Sequence, residues 1–499
     1  MSPLEQQDLE PPVGTARNGL RLLFGRDLAY VALWATPLGF ATLLTPIITR
    51  LLGPSGYGLA AVSVAIMQLL VAVAGSGLNV AIQRTYAGAG DRAARKLITV
   101  SLVIAALAFL VLTISGPLWA GSLRLGPYRG AVAYAVAWAM LSAVSQTVLA
   151  LLRSRDRLDQ FALVTLLQTS LAEALSLGLV LFVRRTADEY ILGELIGQAA
   201  TLVVALALAR PEPLRRVDHH LMRVTLGFAL PLIPVTIANF IMSTSSRLVL
   251  NADSGRVAAA RFTVASNVGS IASLLVYALF EAWMPRVFAL TDEAAVPRVL
   301  AHSRDALYAL LIPTTIGLSA TSPLLLRLWA PGSFRPDTLQ LDVVIFIVAT
   351  FPYAGATTSS RGLIRDGRTG AIARIALCAA GFNLLLSLLL VPELGLFGAA
   401  LATLAALTFV YVMTDRLSQG LHPAPAPPRS LSRAIAVTTM VCLATVLIPT
   451  NLPFLLLRGL LGVLCAAAVA FGLRWLRANP DLDRLPLTPR RPRPRGLKG

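Results

Sequence analysis

Apolar runs of about twenty residues recur along the whole chain, parted by short polar connections. A helix needs about 20 mostly apolar residues to cross a bilayer. That rule predicts about 14 spans, at 28–49, 57–82, 97–119, 130–152, 161–183, 190–209, 225–246, 262–284, 306–329, 341–360, 371–391, 394–414, 431–450 and 453–474. The fold class expected is an all-α, polytopic membrane protein. The connections leave no room for a soluble domain between spans.

Composition agrees. The chain is 56% hydrophobic and 14% charged, whereas a soluble domain averages about 25% charged. It lacks the polar surface to cover a globule, so lipid must be its main solvent. The opening "MSPLEQQDLEPPVG" has no basic, apolar and small-residue sequence of a cleaved leader, so no signal peptide is expected. Cys378, Cys442 and Cys465 all lie inside apolar runs, which predicts buried packing, not disulfides or a metal site.

Charge gives the orientation. With the N-terminus inside, 32 of the 43 lysines and arginines fall on inner segments and 11 on outer ones. Without the two tails the count is 21 against 11. The positive-inside rule then puts both termini in the cytoplasm, which needs an even number of spans, 12 or 14. The net charge of +18 is mostly this orientation signal, and no nucleic-acid partner is implied. "RLPLTPRRPRPRGLKG" at the C-terminus is a basic, Pro-rich tail suited to anionic lipid. "TARNGLRLLFGRDLAY" sets Arg17 and Arg21 one turn apart, which predicts a short interfacial helix before the first span.

The halves echo each other. "ITRLLGPSGYGLAAVSVA" is followed by Arg84, and "SSRLVLNADSGRVAAARFTVA" by Arg286. Each has an arginine, a glycine-containing outer turn and a long span ending at an inner arginine. Both run from outside to inside, so the repeat is parallel, one known basis for alternating access.

Candidate chemistry lies in polar residues within spans, which are expensive in lipid. Glu173 lies mid-span and Glu281 near an inner end. Each is a proton or cation site, or a structural carboxylate that is protonated or arginine-paired. Arg50, Arg84 and Arg247 flank span ends, where a guanidinium fork can hold phosphate or snorkel to lipid headgroups. Asn79, Asn239 and Asn267 can bind sugar hydroxyls or join helices. Pro37 and Pro46 in the first span, and Pro231 and Pro234 in the seventh, predict bent gating helices. The four histidines have no metal-ligand spacing, and no phosphate-binding Gly-rich loop is present. Asp156 and Asp159 in "RDRLDQ" sit among arginines and read as a solvated cluster. No catalytic residue, metal or cofactor is expected.

The stretch "TPIITRLLGPSGYGLAAVSVAIMQLLVAVAGSGLNVAIQR" resembles the polysaccharide flippases of the multidrug/oligosaccharidyl-lipid/polysaccharide exporter superfamily. Arg50, Leu52, Gly53, Pro54, Tyr57 and Gly58 match their first hairpin, and Gly77, Leu78, Ala81 and Arg84 the end of their second span. "LPLIPVTIANFIMSTSSRLVLN" and "GFNLLLSLLLVPELGLFGAALAT" are similar to later blocks, so the likeness covers roughly 15–415. It is nearest to the Wzx-like exporters. Arg26 and Asp27 precede the first apolar run, unlike the charge pattern of the lipid II flippases.

The resemblance implies two six-helix lobes around a central cavity, plus two C-terminal helices. The division is then 1–27 tail and interfacial helix, 28–210 N-lobe, 211–416 C-lobe, 417–476 extra helices and 477–499 basic tail. It further implies a monomeric flippase of the bacterial plasma membrane. Its substrate is an undecaprenyl-pyrophosphate-linked oligosaccharide, moved to the outer leaflet by alternating access, often ion-coupled. A polysaccharide polymerase or another assembly protein is the partner expected. A drug or metabolite antiporter of the same fold is the alternative, and it should show an acidic constellation in one lobe. A polymerase or glycosyltransferase should carry a long outer loop with catalytic residues, and none is predicted.

Overall fold

The computed structural model describes residues 16–75, 77–122, 128–213, 233–288 and 296–478. Side chains are described outside 16–43, 233–236, 281–288, 475–478 and a few single positions, Arg84 and Asn239 among them. Described residues form helices and connections, with no strand among them.

The helices are α1 (Ala16–Gly75), α2 (Leu78–Ser122), α3 (Ala131–Ser154), α4 (Leu158–Phe182), α5 (Ala187–Ala209), α6 (Ile233–Ser254) and α7 (Arg256–Gly269). They continue with α8 (Ile271–Phe288), α9 (Val296–Trp329), α10 (Pro336–Arg365), α11 (Thr369–Leu421), α12 (Arg429–Ala444) and α13 (Leu452–Ala478). Ten are long and apolar enough to cross a membrane singly, or 11 once a bent pair counts as one span.

Part of the difference from the expected fourteen passes lies in the longest helices, whose backbone turns within them. α1 turns at Gly53 (φ 64°, ψ 179°), α2 at Gly90 (φ 80°, ψ 179°) and α11 at Gly395 (φ 58°, ψ −129°). Each positive φ is a conformation open to glycine at little cost. α11, with 53 residues, is about 80 Å long at 1.5 Å per residue, enough for two crossings. α7 and α8 make one span bent by 46° at residue 270.

The two halves share a backbone device. Gly255, between α6 and α7, has φ 85° and ψ 178°, close to the geometry of Gly53. The sequence echo therefore has a conformational counterpart at the two corresponding turns.

α1 runs from Ala16 to Leu52 without a break, through Pro37 and Pro46, and its single non-helical residue is Gly53. One expectation changes. Cys442 is buried, but Cys378 is exposed on the apolar exterior of α11.

α1, α2, α3, α4 and α5 pack together as one lobe, and α6 to α11 as the other. α12 and α13 lie against α9. The lobes meet chiefly along α1, which packs on α6 and α7. Much of the exterior is bare leucine and valine, for instance Leu110, Ile114 and Leu118 on α2 and Leu457, Leu460 and Leu464 on α13. Only lipid solvates such a surface. The molecule is a multi-pass membrane protein.

Candidate functional site

Small residues create the first polar cluster. Gly193 and Gly197, one turn apart on α5, lie directly against the backbone of Ser176 and Ala172 on α4. A side chain at either glycine would collide there, so the pair permits close helix approach. Glu173 and Glu194 occupy this tight interface. Glu194 is buried and accepts from the Ser176 hydroxyl at 3.0 Å. Glu173 receives a long 3.5 Å contact from the Tyr190 hydroxyl. A π turn, Leu167–Leu171, immediately precedes Glu173 in α4, the kind of irregularity that re-aims side chains.

Tyr57 links this cluster to the other lobe. Its hydroxyl hydrogen-bonds with Thr45 and lies in electrostatic reach of both Glu173 and Arg247. Its ring packs edge-on to Phe334, centroids 5.9 Å apart at 65°. Tyr57 thus packs against the loop after α9 with Glu173 and Arg247 in its electrostatic surroundings.

Arg247 enters a cavity of about 460 Å³ enclosed by α6, α7, α8, α10 and α11, all within the second lobe. Nine hydroxyl-bearing residues line it, together with Asn267 and the buried, edge-packed rings of Phe262 and Phe346. Arg247 is the one charged residue of the lining. Its Nε is buried without an acceptor, and no carboxylate pairs with it among the described residues. An unpaired cation in a hydroxyl-lined cavity can hold an anionic, polyhydroxylated group.

The end of the molecule expected to face outward is closed by inter-lobe contacts. Thr49, fully buried, donates its hydroxyl to the carbonyl of Trp329 at 2.6 Å. Arg50 donates to the carbonyls of Pro46 at 2.7 Å and Leu328 at 2.9 Å. Gly58 lies directly against the Arg256 carbonyl, where no Cβ fits.

The sequence-singled residues therefore separate. Arg247 and Asn267 meet in the cavity. Arg50 lies instead at the closed end, exposed and bonded to backbone. Asn79 is half-buried at the start of α2 and already engaged by a neighbour. Pro46 offers its carbonyl to Thr49 and Arg50. Pro234 lies within α6, and its side chain is outside the described residues. The Pro37 ring and the side chains of Arg84, Asn239 and Glu281 lie outside the described residues, as does Pro231 altogether. Asp156 and Asp159 are exposed. Among the described residues no three His, Cys, Asp or Glu side chains gather where a metal could bind.

Sequence reading passed over Glu194. The signal was present, since "GELIGQ" sets the glutamate between two glycines four apart, on a span adjoining that of Glu173. It also passed over most of the hydroxyls, because serine and threonine are ordinary in such helices.

The comparisons with known proteins agree with this architecture. The family described as polysaccharide biosynthesis protein matches residues 29–291, more than half of the chain. No curated protein matches at a significant level. Among solved structures, the lipid II flippase MurJ in an inward closed conformation is 14% identical, with 90% of this chain and 99% of that one covered and a TM-score of 0.65. An inward-facing multidrug resistance MATE family transporter of the MOP superfamily is 15% identical, covering 78% and 96%, at 0.58. An outward-facing MATE family transporter is also 15% identical, covering 84% and 99%, at 0.52. These likenesses give the fold: two six-helix lobes around a central cavity, with two further C-terminal helices. On the family match over more than half its length, the chain belongs to the polysaccharide biosynthesis protein family.

Proposed function

We propose that the protein is a flippase that moves an undecaprenyl-pyrophosphate-linked oligosaccharide from the cytoplasmic to the outer leaflet of the bacterial plasma membrane. The observation that carries this reading is the second-lobe cavity, with nine hydroxyl-bearing residues and one cation, Arg247, that no carboxylate pairs with among the described residues. Sugar hydroxyls and a phosphate group suit that lining. Membership of a polysaccharide biosynthesis family supports the glycan, and the flippase among the structural likenesses supports the lipid carrier.

On this reading 28–210 and 211–416 are the moving lobes, 417–476 the accessory pair, and 1–27 and 477–499 cytoplasmic tails. Closure through Thr49, Arg50 and Gly58 corresponds to a state shut to the outside and accessible from the cytoplasm. Glu173 with Glu194 is the ion-coupling element. The protein acts as a transporter without a catalytic residue. It works as a monomer beside a polymerase or another assembly protein, its basic tail on anionic lipid.

Deleting the gene in its host tests the reading. The expected result is accumulation of lipid-linked oligosaccharide facing the cytoplasm, with loss of surface polysaccharide. Unchanged surface polysaccharide contradicts it.

One observation favours a second reading. The Glu173–Glu194 pair is the acidic constellation expected of an ion-coupled drug or metabolite antiporter. Gradient-driven efflux of small organic cations from proteoliposomes, with no movement of lipid-linked glycan, would select that reading.

A further inference from the structure

The cavity lining has a hydrogen-bonding polarity that selects among ligands. A hydroxyl has one donor and two acceptor lone pairs. A backbone carbonyl only accepts, so a hydroxyl bonded to one has spent its proton. Four lining hydroxyls are spent in this way. Ser266 donates to the Thr263 carbonyl at 3.1 Å and Thr357 to that of Ala354 at 2.9 Å. Ser360 donates to the Thr357 carbonyl at 2.8 Å and Thr403 to that of Ala399 at 3.0 Å. This back-bonding is the ordinary outlet for serine and threonine in helices. It leaves their remaining lone pairs as the groups available to a ligand. Arg247 and Asn267 bring strong donors to the lining.

The lining thus has four of its nine hydroxyls able only to accept from a ligand, beside one cationic fork. A ligand that satisfies it carries several O–H donors and one anionic group. Ile372, Ile375, Leu407 and Val410 add an apolar wall suited to the C–H face of a sugar ring. The residues come from 242–414 alone, so this subsite belongs to one lobe and can travel with it.

We propose that this second-lobe cavity is a glycan subsite that reads sugar hydroxyls as hydrogen-bond donors, through Ser266, Thr357, Ser360 and Thr403, and anchors one negative charge at Arg247. The charge is either the pyrophosphate or an acidic substituent on the sugar. The proposal rests on the flippase reading and specifies where, and by which polarity, the headgroup is held.

The test uses the full chain in detergent with undecaprenyl-pyrophosphate disaccharides made in two forms, fully hydroxylated and with single hydroxyls replaced by fluorine. Fluorine keeps the size but cannot donate. Wild type should bind at least one fluorinated form about tenfold more weakly, because an acceptor in the cavity loses its partner. Thr403→Val and Ser360→Ala should shrink that discrimination while melting like wild type. Equal binding of both forms by wild type, or unchanged discrimination in both variants, overturns the proposal.

Arg247→Gln locates the charge, with Arg247→Lys as the folded control. Weaker binding of neutral and acidic glycans alike, with competition by inorganic pyrophosphate, places the pyrophosphate there. Loss confined to glycans bearing a carboxylate places the acidic sugar there. Binding of every glycan as in wild type removes the anchor and with it the proposal. If wild type also flips these lipids between leaflets, only the subsite has failed. If wild type neither binds nor flips any of them, the flippase reading falls as well.

Discussion

The guanidinium of Arg50 donates to the carbonyl of Leu328, 2.9 Å away, across the boundary between the two lobes. The last carbonyls of a helix have no partner inside it, and α9 ends at Trp329. Thr49 takes the Trp329 carbonyl and Arg50 that of Leu328. The arginine that opens the R-x-L-G-P-x-x-Y-G match therefore caps a helix of the opposite lobe. If the lobes part at this end during transport, these bonds must break.

Removing the cap should bias the molecule toward the state open at this end. Arg50 is exposed, so its bond is worth about 1 kcal/mol or less, and Arg50→Ala should shift the population by no more than about fivefold. Thr49→Val, at a buried bond, should shift it further. Spin-label distances between α1 and α9 measure this directly. Distance distributions identical to wild type in both variants would remove the cap from the account.

Gly58 should tolerate no side chain. The Arg256 carbonyl occupies the place where its Cβ would go, so Gly58→Ala forces α1 and α7 apart. The expected cost is that of core overpacking, about 1–3 kcal/mol, borne only by the closed state. Gly56→Ala, whose Cβ would meet the Leu52 side chain at 3.2 Å, should be milder. Labelling of a cysteine placed at 59 should rise in the Gly58 variant and little in the other.

Glutamine at Glu173 or Glu194 keeps the shape and removes the titratable charge. If the pair couples an ion gradient to transport, each variant should lose about tenfold or more of gradient-driven rate, while exchange without a gradient continues. A rate that responds to the gradient as in wild type would make the pair structural.

Much of this architecture is legible in the chain. Span positions follow from the length of apolar runs, and the turns at Gly53 and Gly255 from their equivalent places in the two halves. Helix continuity is less legible. That α1 continues through Pro37 and Pro46 and first leaves helical geometry at Gly53 is not evident from the apolar pattern. The candidate site is legible only in part. Arg247 and Asn267 stand out as polar residues in apolar runs, whereas Arg50 looks the same and caps a helix instead. Which of these faces a cavity depends on helix rotation, and no single sequence fixes that when most faces are apolar. Glu194 needed the α4–α5 contact to become conspicuous beside Glu173.

A buried guanidinium also sets the accessory helices. Arg458 on α13 donates to the carbonyls of Ala320 at 3.2 Å, Thr445 at 2.8 Å and Ile448 at 2.6 Å. It closes the bend between α12 and α13 and ties both to α9. Arg458→Ala removes three bonds at this bend, although the Thr445 carbonyl keeps the Gln340 amide at 3.0 Å, and should cost about 1–3 kcal/mol, seen as an earlier melt in detergent. Arg458→Lys should recover part of the loss. Unchanged melting in the alanine variant would contradict this role.

The central claim is movement of a lipid-linked glycan between leaflets. Its most direct test is purified protein in liposomes that contain a fluorescent undecaprenyl-pyrophosphate oligosaccharide, with leaflet accessibility followed over time. The account predicts protein-dependent exchange that Arg247→Gln slows. Exchange no faster than in protein-free liposomes, for neutral and acidic glycans alike, would contradict it.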